Sequence, residues 1–443
     1  MGLLIGAGVV YAAAPSIGLT GTTATTTVGG GTATATTTVS GGTVTKTVTG
    51  AGAGLCNGQT ITIGALFDLT GQLSNLGRRS KAASDLALAD VNAFLASSGC
   101  NLKFQVNVND YALDNNKALQ QVQAMAAQGV STVIGPFNSG TAQFILSYIN
   151  SNHIAMISPS STSPALAIAN DYLFRTAPND AAQGLAVARI LVERGVNAVI
   201  VLNRHDTYGD GLANSTAARF TALGGTVVDK IAYDTATTDF TPILTKVNSD
   251  WQTASTQYGA DKVAILAISF EEIGTMLIQA QAQFPALLST PQPWYGSDGT
   301  AQNGVITSAS TSGPYVAQVK LPSTIFNVAN NSKTISFFSR YVTALPGQAC
   351  EFYCLEVYND VWLAALSILS AGKNDGTLVQ KALPTVAANF YGLTGWEGLQ
   401  DSGDRIPGAY QVWKVVSQGA GFTWVLAGTW DYNSDTITWT SPP

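Results

Sequence analysis

Apolar runs alternate with amphipathic stretches along most of the chain after Gln59. The segments "TITIGALFD" and "LKFQVNVND" have the composition of strands, and between them residues 79–97 place apolar side chains near helical spacing. The same succession predicts helices over 117–127 and 141–149 and strands over 132–135 and 155–158. Successive strand-helix units of this kind predict a parallel, doubly wound sheet with helices on both faces.

A second set of units follows "LFRTAPND". Its predicted strands are "NAVIVLN", "GTVVDKIAY", "KVAILAIS" and "PWYGSD", with helices over 181–194, 211–223, 241–251 and 272–282. Further helices are predicted over 355–371 and 378–388, before a tail rich in Trp and Tyr that has the pattern of antiparallel strands. The predicted fold class is therefore α/β, with two doubly wound parallel-sheet lobes and a ligand cleft between them.

The first 56 residues have a different composition. Residues 1–15 contain a run of 12 apolar residues, shorter than the roughly 20 that span a membrane, and we interpret them as an export or anchor segment. Residues 16–56 are rich in Thr and Gly, which is typical of a flexible stalk. Their alternation around Gly41 and Gly42 also fits a β-hairpin, and residues 16–54 then offer strands that can pair with a neighbouring copy.

Composition excludes several function classes. Only 11% of the 443 residues are charged, the formal net charge is −6, and no basic cluster suggests nucleic acid as a partner. With two histidines and four cysteines that fit no zinc or redox motif, we expect no metal and no cofactor. The chain also lacks a nucleophile triad and a nucleotide-binding glycine motif, so an enzyme is not expected.

The cysteines suggest an oxidising environment. Cys56 precedes the first predicted strand and Cys100 follows the first predicted helix, so the two can meet at one end of a strand-helix unit. Cys350 and Cys354 can form a local bridge, and free buried thiols are the alternative for both pairs. Disulfides would place the protein outside the reducing cytosol. Two sequons, at Asn214 and Asn330, are compatible with an exported glycoprotein.

Two clusters of hydroxyl residues follow neighbouring apolar runs. Ser139 and Gly140 lie where a predicted strand gives way to a helix, and free N–H groups at a helix start favour an anion such as a carboxylate. Ser160, Ser161 and Thr162 follow the next strand and add hydroxyls nearby. Because ligands of open parallel sheets bind beyond the carboxyl ends of the strands, these clusters are candidate binding residues. Ordinary helix capping is the alternative reading.

An ordered set of motifs resembles a known family. "VIGPFNSG", "IAMISPSSTSP", "LFRTAPNDAAQG", "HDTYGDGLANS", "VAILAISFEEIGTMLIQA" and "WYGSDG" are similar to segments of the type I periplasmic binding proteins of the branched-chain amino-acid (Leu/Ile/Val) uptake group. The resemblance runs from about residue 60 to the tail near residue 430. It implies a non-enzymatic receptor that closes two lobes on an amino acid or a related carboxylate or amide and presents it to an ABC transporter permease. With the N-terminal segment, which lies outside the resemblance, we expect a cell-surface or secreted protein that is tethered through its N-terminus.

The resemblance also implies roles for single residues in the first lobe. Ser139 and Thr162 match positions that hold the ligand α-carboxylate. Ser160 or Ser161 matches a position that offers a backbone carbonyl to the ligand ammonium. Leu76 stands where the family often has an aromatic lid residue.

Three further residues lie in the second half of the resemblance. Asp298 matches a carboxylate that pairs with the ligand ammonium, although it is one methylene shorter than the common glutamate. Tyr208 matches an aromatic residue that covers the ligand, and Phe270 stands near a tyrosine position. The resemblance implies that the apolar half of this pocket differs from that of its relatives.

The predicted lobes are discontinuous along the chain. Lobe 1 comprises 57–175 and 318–390, and lobe 2 comprises 176–317 and 391–443, with crossings near Arg175, Tyr315 and Tyr391. Hinge motion at these crossings would close the cleft. The alternative function is a structural subunit of an extracellular filament, joined through the Thr-rich hairpin.

Overall fold

The computed structural model describes residues 33–39, 42–48, 54–328 and 331–443. The helices are α1 Ser74–Ser97, α2 Asn115–Ala127, α3 Ser139–Ser151, α4 Asp180–Glu193, α5 Thr207–Ala222, α6 Thr241–Tyr258, α7 Ile273–Gln283, α8 Gly313–Gln318, α9 Ser332–Ala344, α10 Phe352–Ala371 and α11 Gly376–Ala388. The strands are β1 Ala33–Val39, β2 Gly42–Val48, β3 Thr60–Phe67, β4 Lys103–Asp110, β5 Thr132–Ile134, β6 Ala155–Ser158, β7 Leu173–Arg175, β8 Ala198–Arg204, β9 Thr226–Tyr233, β10 Val263–Ile268, β11 Trp294–Tyr295, β12 Ser323–Phe326, β13 Tyr410–Gln418, β14 Gly421–Asp431 and β15 Thr436–Trp439.

Two parallel sheets form the two lobes. The first has the strand order β4-β3-β5-β6-β7 and the second has the order β11-β10-β8-β9. Every residue of β8 and β10 is buried, as expected for strands covered on both faces. The predicted fold class is confirmed, and the carboxyl ends of both sets of strands carry the loops that matter for binding.

The C-terminal tail forms a third sheet, antiparallel throughout, with the order β12-β13-β14-β15. This agrees with the strands predicted for the tail. β12 pairs with β13 and contacts α4, whereas the predicted boundary at 317/318 assigns β12 and β13 to different lobes. Because β12 and β13 are hydrogen-bonded in one sheet, they belong to the same part of the fold. The rest of the predicted division into lobes stays a prediction.

The Thr-rich segment contains an antiparallel strand pair. β1 and β2 face each other from Ala33 opposite Val48 to Val39 opposite Gly42. The alternating pattern around the glycine pair thus forms a hairpin in the part of this segment that is described. The predicted export or anchor segment, 1–15, and the sequon residue Asn330 lie outside the described residues.

Helix α10 lies at the centre of the first lobe. Among the described residues it is the one helix long and apolar enough to cross a membrane by composition, and 83% of its apolar window is buried within the fold. It packs against α1 and α11 and contacts β5 and β6. Its burial is that of a core helix, which covers one face of the first sheet.

Both predicted disulfides are present. Cys56 and Cys100 join the segment before β3 to the end of α1, with 4.7 Å between their Cα atoms. Cys350 and Cys354 bridge the start of α10, with 5.2 Å between their Cα atoms. The pairing follows from the strand-helix unit, which returns the end of α1 to the level at which β3 begins.

A buried ion pair lies where the chain passes from the first lobe to the second. Arg175, at the end of β7, places its Nε 2.6 Å from Oδ1 of Asp404, and the two side chains are 0% and 1% exposed. The same guanidinium donates to the carbonyl oxygens of Ser161, at 3.0 Å, and Ser163, at 2.7 Å. One side chain therefore fixes both a crossing segment and the loop that contains the second hydroxyl cluster.

A second buried cation lies next to the first. The Arg405 guanidinium contacts the carboxylates of Glu356 and Glu397, and all three side chains are buried. The pKa of Arg405 is raised, because these carboxylates outweigh the desolvation that would lower it. The segment between α11 and β13 is thus held by two ion pairs with α10 and β7.

Candidate ligand-binding site

A cleft of about 510 Å³ opens between the loops of the two parallel sheets. Loops after β3, β5 and β6 form one wall, and loops after β8, β10 and β11 form the other. The start of α10 closes one end. The lining residues are Leu73, Leu76, Arg79, Phe137, Asn138, Ser139, Ser160, Tyr208, Phe270, Glu271, Asp298, Gly299, Ala301, Asn303, Glu351 and Tyr353.

Six of the nine predicted ligand-binding residues lie in this lining: Leu76, Ser139, Ser160, Tyr208, Phe270 and Asp298. The other three, Gly140, Ser161 and Thr162, lie behind it, and their contact with a ligand stays a prediction. The hydroxyl of Ser161 donates to Ser158 Oγ at 2.6 Å, and the hydroxyl of Thr162 donates to Asp180 Oδ2 at 2.9 Å. Both hydroxyls are therefore occupied in stabilising their own loop.

Ser139 connects the two hydroxyl clusters. Its Oγ accepts the backbone N–H groups of Thr162 and Ser163, both at 3.1 Å. A hydroxyl that accepts two hydrogen bonds still has its own proton to donate. Because Ser139 is also the first residue of α3, that proton and the positive end of the helix dipole both favour an anionic group in the cleft.

Asp298 lies across the cleft and is held by three donors. Its Oδ1 accepts from Gln183 Nε2 at 2.9 Å and from the Tyr208 hydroxyl at 2.7 Å, and its Oδ2 accepts from the Tyr353 hydroxyl at 2.5 Å. Burial raises the pKa of this carboxyl, and the three hydrogen bonds oppose that effect. A carboxylate offers about four acceptor sites. One site thus remains for a ligand donor.

Aromatic rings form the face of the cleft that belongs to the second lobe. Tyr208 stacks on Phe270 with 5.3 Å between ring centroids, and the Arg204 guanidinium lies 3.8 Å from the Phe270 centroid. Arg204 is in turn fixed by Glu272 at 2.5 Å and Asp206 at 2.6 Å. This stack presents a rigid apolar surface against which the hydrocarbon part of a ligand can pack.

The sequence motifs did not assign six polar residues of the lining to the site, namely Arg79, Asn138, Glu271, Asn303, Glu351 and Tyr353. Arg79 places its Nη2 3.1 Å from Oε1 of Glu351, and both side chains are buried. Glu271 accepts from the backbone N–H of Asn75 at 3.4 Å, and Tyr353 donates to Asp298. One signal was available: Glu351 and Tyr353 lie inside the short Cys350–Cys354 loop, which fixes the start of α10.

Within residues 54–328 and 331–443, no group of acidic, Cys or His side chains could hold a metal ion.

Two carboxyls near the mouth of the cleft have raised pKa values. Burial raises the pKa of Glu271 to about 7 and that of Asp68 to about 6, and the two carboxylates also repel each other. The folded protein therefore holds these two protons to a higher pH than the unfolded chain does. Asp68 still accepts the N–H of Leu73 at 2.7 Å, which fixes the loop before α1.

These two groups predict how stability changes with pH. Because both pKa values are higher in the folded protein than in the unfolded chain, their stabilising effect is full below about pH 4 and is lost as the pH rises towards 7. We expect a higher melting temperature at pH 5 than at pH 7.5, measured by calorimetry without ligand. Glu271→Gln should reduce this difference, and an unchanged pH dependence in that variant would contradict the assignment.

Comparison with known proteins identifies the family. The profile of the family described as "Periplasmic binding protein" matches residues 60–420. The chain is 31% identical over 401 residues to an uncharacterized protein of Methanocaldococcus jannaschii, an alignment that covers 86% of this chain and 91% of that protein. A leucine-binding protein of Thermotoga maritima superposes with a TM-score of 0.69 at 20% identity, over 82% of this chain and 97% of that chain. A solute-binding protein of Rhodopseudomonas palustris, in complex with benzoate, superposes with a TM-score of 0.67 at 16% identity, over 83% and 96% of the two chains.

The family and the two superposed structures are binding proteins, which confirms the expectation of a binding protein rather than an enzyme. The family also implies a location outside the cytoplasm. The comparisons do not favour the filament alternative, and tethering through the N-terminus stays a prediction. With its two parallel-sheet lobes and the cleft between them, the chain belongs to the periplasmic binding protein family.

Proposed function

We propose that this protein captures an amino acid in the cleft and delivers it to an ABC transporter permease. The observation that carries the proposal is the placement of opposite chemistry on the two sides of the cleft. Ser139 offers a hydroxyl donor at the start of α3, and Asp298 offers an acceptor across from it. A zwitterion that leaves water needs a donor set at one end and an acceptor at the other.

Lobe closure is the second part of the proposal. The wall after β3 and the wall after β10 already contact each other through Asn75 and Glu271, and Arg204 donates to Gln72 Oε1 at 3.3 Å. A ligand that bonds to both walls adds to these contacts only when the lobes are closed. It therefore favours the closed form by its difference in affinity for the two forms.

The relatives support amino acids as the first ligands to test. The Thermotoga maritima protein is named for leucine, and the Rhodopseudomonas palustris protein was solved with benzoate. Both ligands carry a carboxylate, and benzoate has no ammonium group. The acceptor at Asp298 favours the ammonium-bearing ligand in this chain.

Replacing Asp298 by asparagine tests this assignment. The amide keeps the size of the side chain but loses the negative charge, so we expect amino-acid affinity to fall at least tenfold in titration calorimetry. Asp85→Asn, at an exposed position on α1, is the matched control and should bind as the unaltered protein does. Unchanged affinity in Asp298→Asn would remove this carboxylate from the site. No binding of any amino acid to the unaltered protein would overturn the proposed function.

A further inference from the structure

The charges that line the cleft do not balance. Among its lining residues Arg79 is the one cation, and it faces three carboxylates, Glu271, Asp298 and Glu351. With all four groups ionised, the lining has a formal surplus of two negative charges. A neutral zwitterion brings one ammonium and one carboxylate, so it leaves that surplus unchanged.

Arg79 is already fully engaged by its own lobe. Its Nε donates to the carbonyl of Asn75 at 3.2 Å, its Nη1 donates to the carbonyl of Ala349 at 3.0 Å, and its Nη2 faces Glu351. The guanidinium is 4% exposed, so it is positioned as part of the wall. It offsets Glu351 and leaves the other two carboxylates without a cationic partner in the lining.

Glu271 is the least satisfied of the three carboxylates. Its Oε1 accepts two long hydrogen bonds, from Asn75 N and from Asn303 Nδ2, both at 3.4 Å. Oε1 of Glu351, by contrast, is paired with Nη2 of Arg79 at 3.1 Å. Buried carboxylates are stable when paired and fully hydrogen-bonded. Glu271 thus has capacity for a donor that is supplied from the cleft.

The ionisation behaviour agrees with this geometry. Burial raises the pKa of Glu271 to about 7, and burial also raises the pKa values of Asp298 and Glu351. Arg78 and Arg79 lower the pKa values of Glu271 and Glu351, respectively, but these effects are smaller than that of burial. A cation bound in the cleft would, like these arginines, lower the pKa values of the nearby carboxyls and favour their ionised forms.

We propose that the ligand is a basic amino acid, whose α-ammonium pairs with Asp298 and whose side-chain cation lies against Glu271. This inference rests on the proposed function and names its substrate class. The hydrocarbon stem of such a ligand would pack against the Phe270 face of the cleft. An apolar amino acid would bury Glu271 without a partner, and a site that leaves a charged group unpaired rejects that ligand.

Titration calorimetry on the full chain at pH 7.5 tests the inference with L-lysine, L-leucine and benzoate. We expect lysine to bind at least tenfold more tightly than leucine. Glu271→Gln should reduce the affinity for lysine at least tenfold and should increase that for leucine, because the charge that rejects leucine is removed. Glu193→Gln, at an exposed position near the end of α4, is the matched control and should change neither.

A second measurement does not depend on any variant. Because a side-chain cation favours the ionised form of Glu271, lysine binding near pH 7 should release protons, which appear as a dependence of the binding enthalpy on the buffer. Leucine binding should release fewer. Tighter binding of leucine than of lysine would overturn the basic-ligand inference and leave the proposed function intact. Binding of benzoate alone, or of none of the three, would overturn the basic-ligand inference, and the proposed function would fall as well if no other amino acid binds.

Discussion

Asp404→Ala is expected to lower the free energy of unfolding by about 3–5 kcal/mol. The change would leave the Arg175 guanidinium buried without its carboxylate, and this side chain has no exposed surface from which to reach water. Asn179 would lose its hydrogen bond to the same carboxylate. Urea unfolding with linear extrapolation measures the loss.

Two further variants separate the cost of an unpaired charge from the value of the pair. Lys81→Ala removes an exposed ion pair with Asp85 and should cost about 0.5 kcal/mol or less. The double variant Arg175→Met with Asp404→Leu removes both charges and should recover only part of the stability lost in Asp404→Ala, because the carbonyls of Ser161 and Ser163 lose their donor. A loss below about 1 kcal/mol in Asp404→Ala would show that water reaches the pair.

Removing the Cys56–Cys100 disulfide has the second large expected effect. The bridge closes a loop with a sequence separation of 44, so the chain-entropy relation gives a loss of about 4 kcal/mol when both cysteines become serine. The Cys350–Cys354 bridge, with a separation of 4, should contribute about 2 kcal/mol by the same relation. Urea unfolding of the two double variants, each compared with the unaltered protein, measures both losses.

The sharper test is whether the Cys56–Cys100 bridge contributes more to the free energy of unfolding than the Cys350–Cys354 bridge does. If the short bridge is worth as much as the long one, restriction of the unfolded chain does not explain the stabilisation. The short bridge has an additional readout, because it fixes the start of α10 and the two cleft residues Glu351 and Tyr353. Its loss should weaken ligand binding, whereas loss of the Cys56–Cys100 bridge should leave affinity unchanged in protein that remains folded.

Periodicity predicted most of the fold, and one helix whose periodicity is present in the sequence was missed. The continuous apolar runs of β8 and β10 identify buried parallel strands, and the structure has them within one residue of the predicted bounds. Helix α9 was not predicted, although Thr334, Phe337 and Tyr341 are buried on one face at helical spacing.

The cleft was predictable only where a local motif marks it. Ser139 and Asp298 follow strands, so their positions at the carboxyl ends of the two sheets could be inferred from sequence. Glu351 and Arg79 come from helices distant in sequence, and only the packing of α1 against α10 brings them together. The direction in which a hydroxyl points could not be inferred from the sequence either. Thr162 is in the expected loop, but its hydroxyl donates to Asp180 rather than facing the cleft.

The discontinuous first lobe has a consequence for the biosynthesis of the protein. All four strands of the second parallel sheet are contained in residues 198–295, and this sheet can be complete as soon as β11 has left the ribosome or the export channel. The first sheet is synthesised earlier, but α10 and α11, which cover β5 and β6, follow about two hundred residues later. The apolar face of the first sheet therefore needs protection while these residues, which include the whole second sheet, are being made.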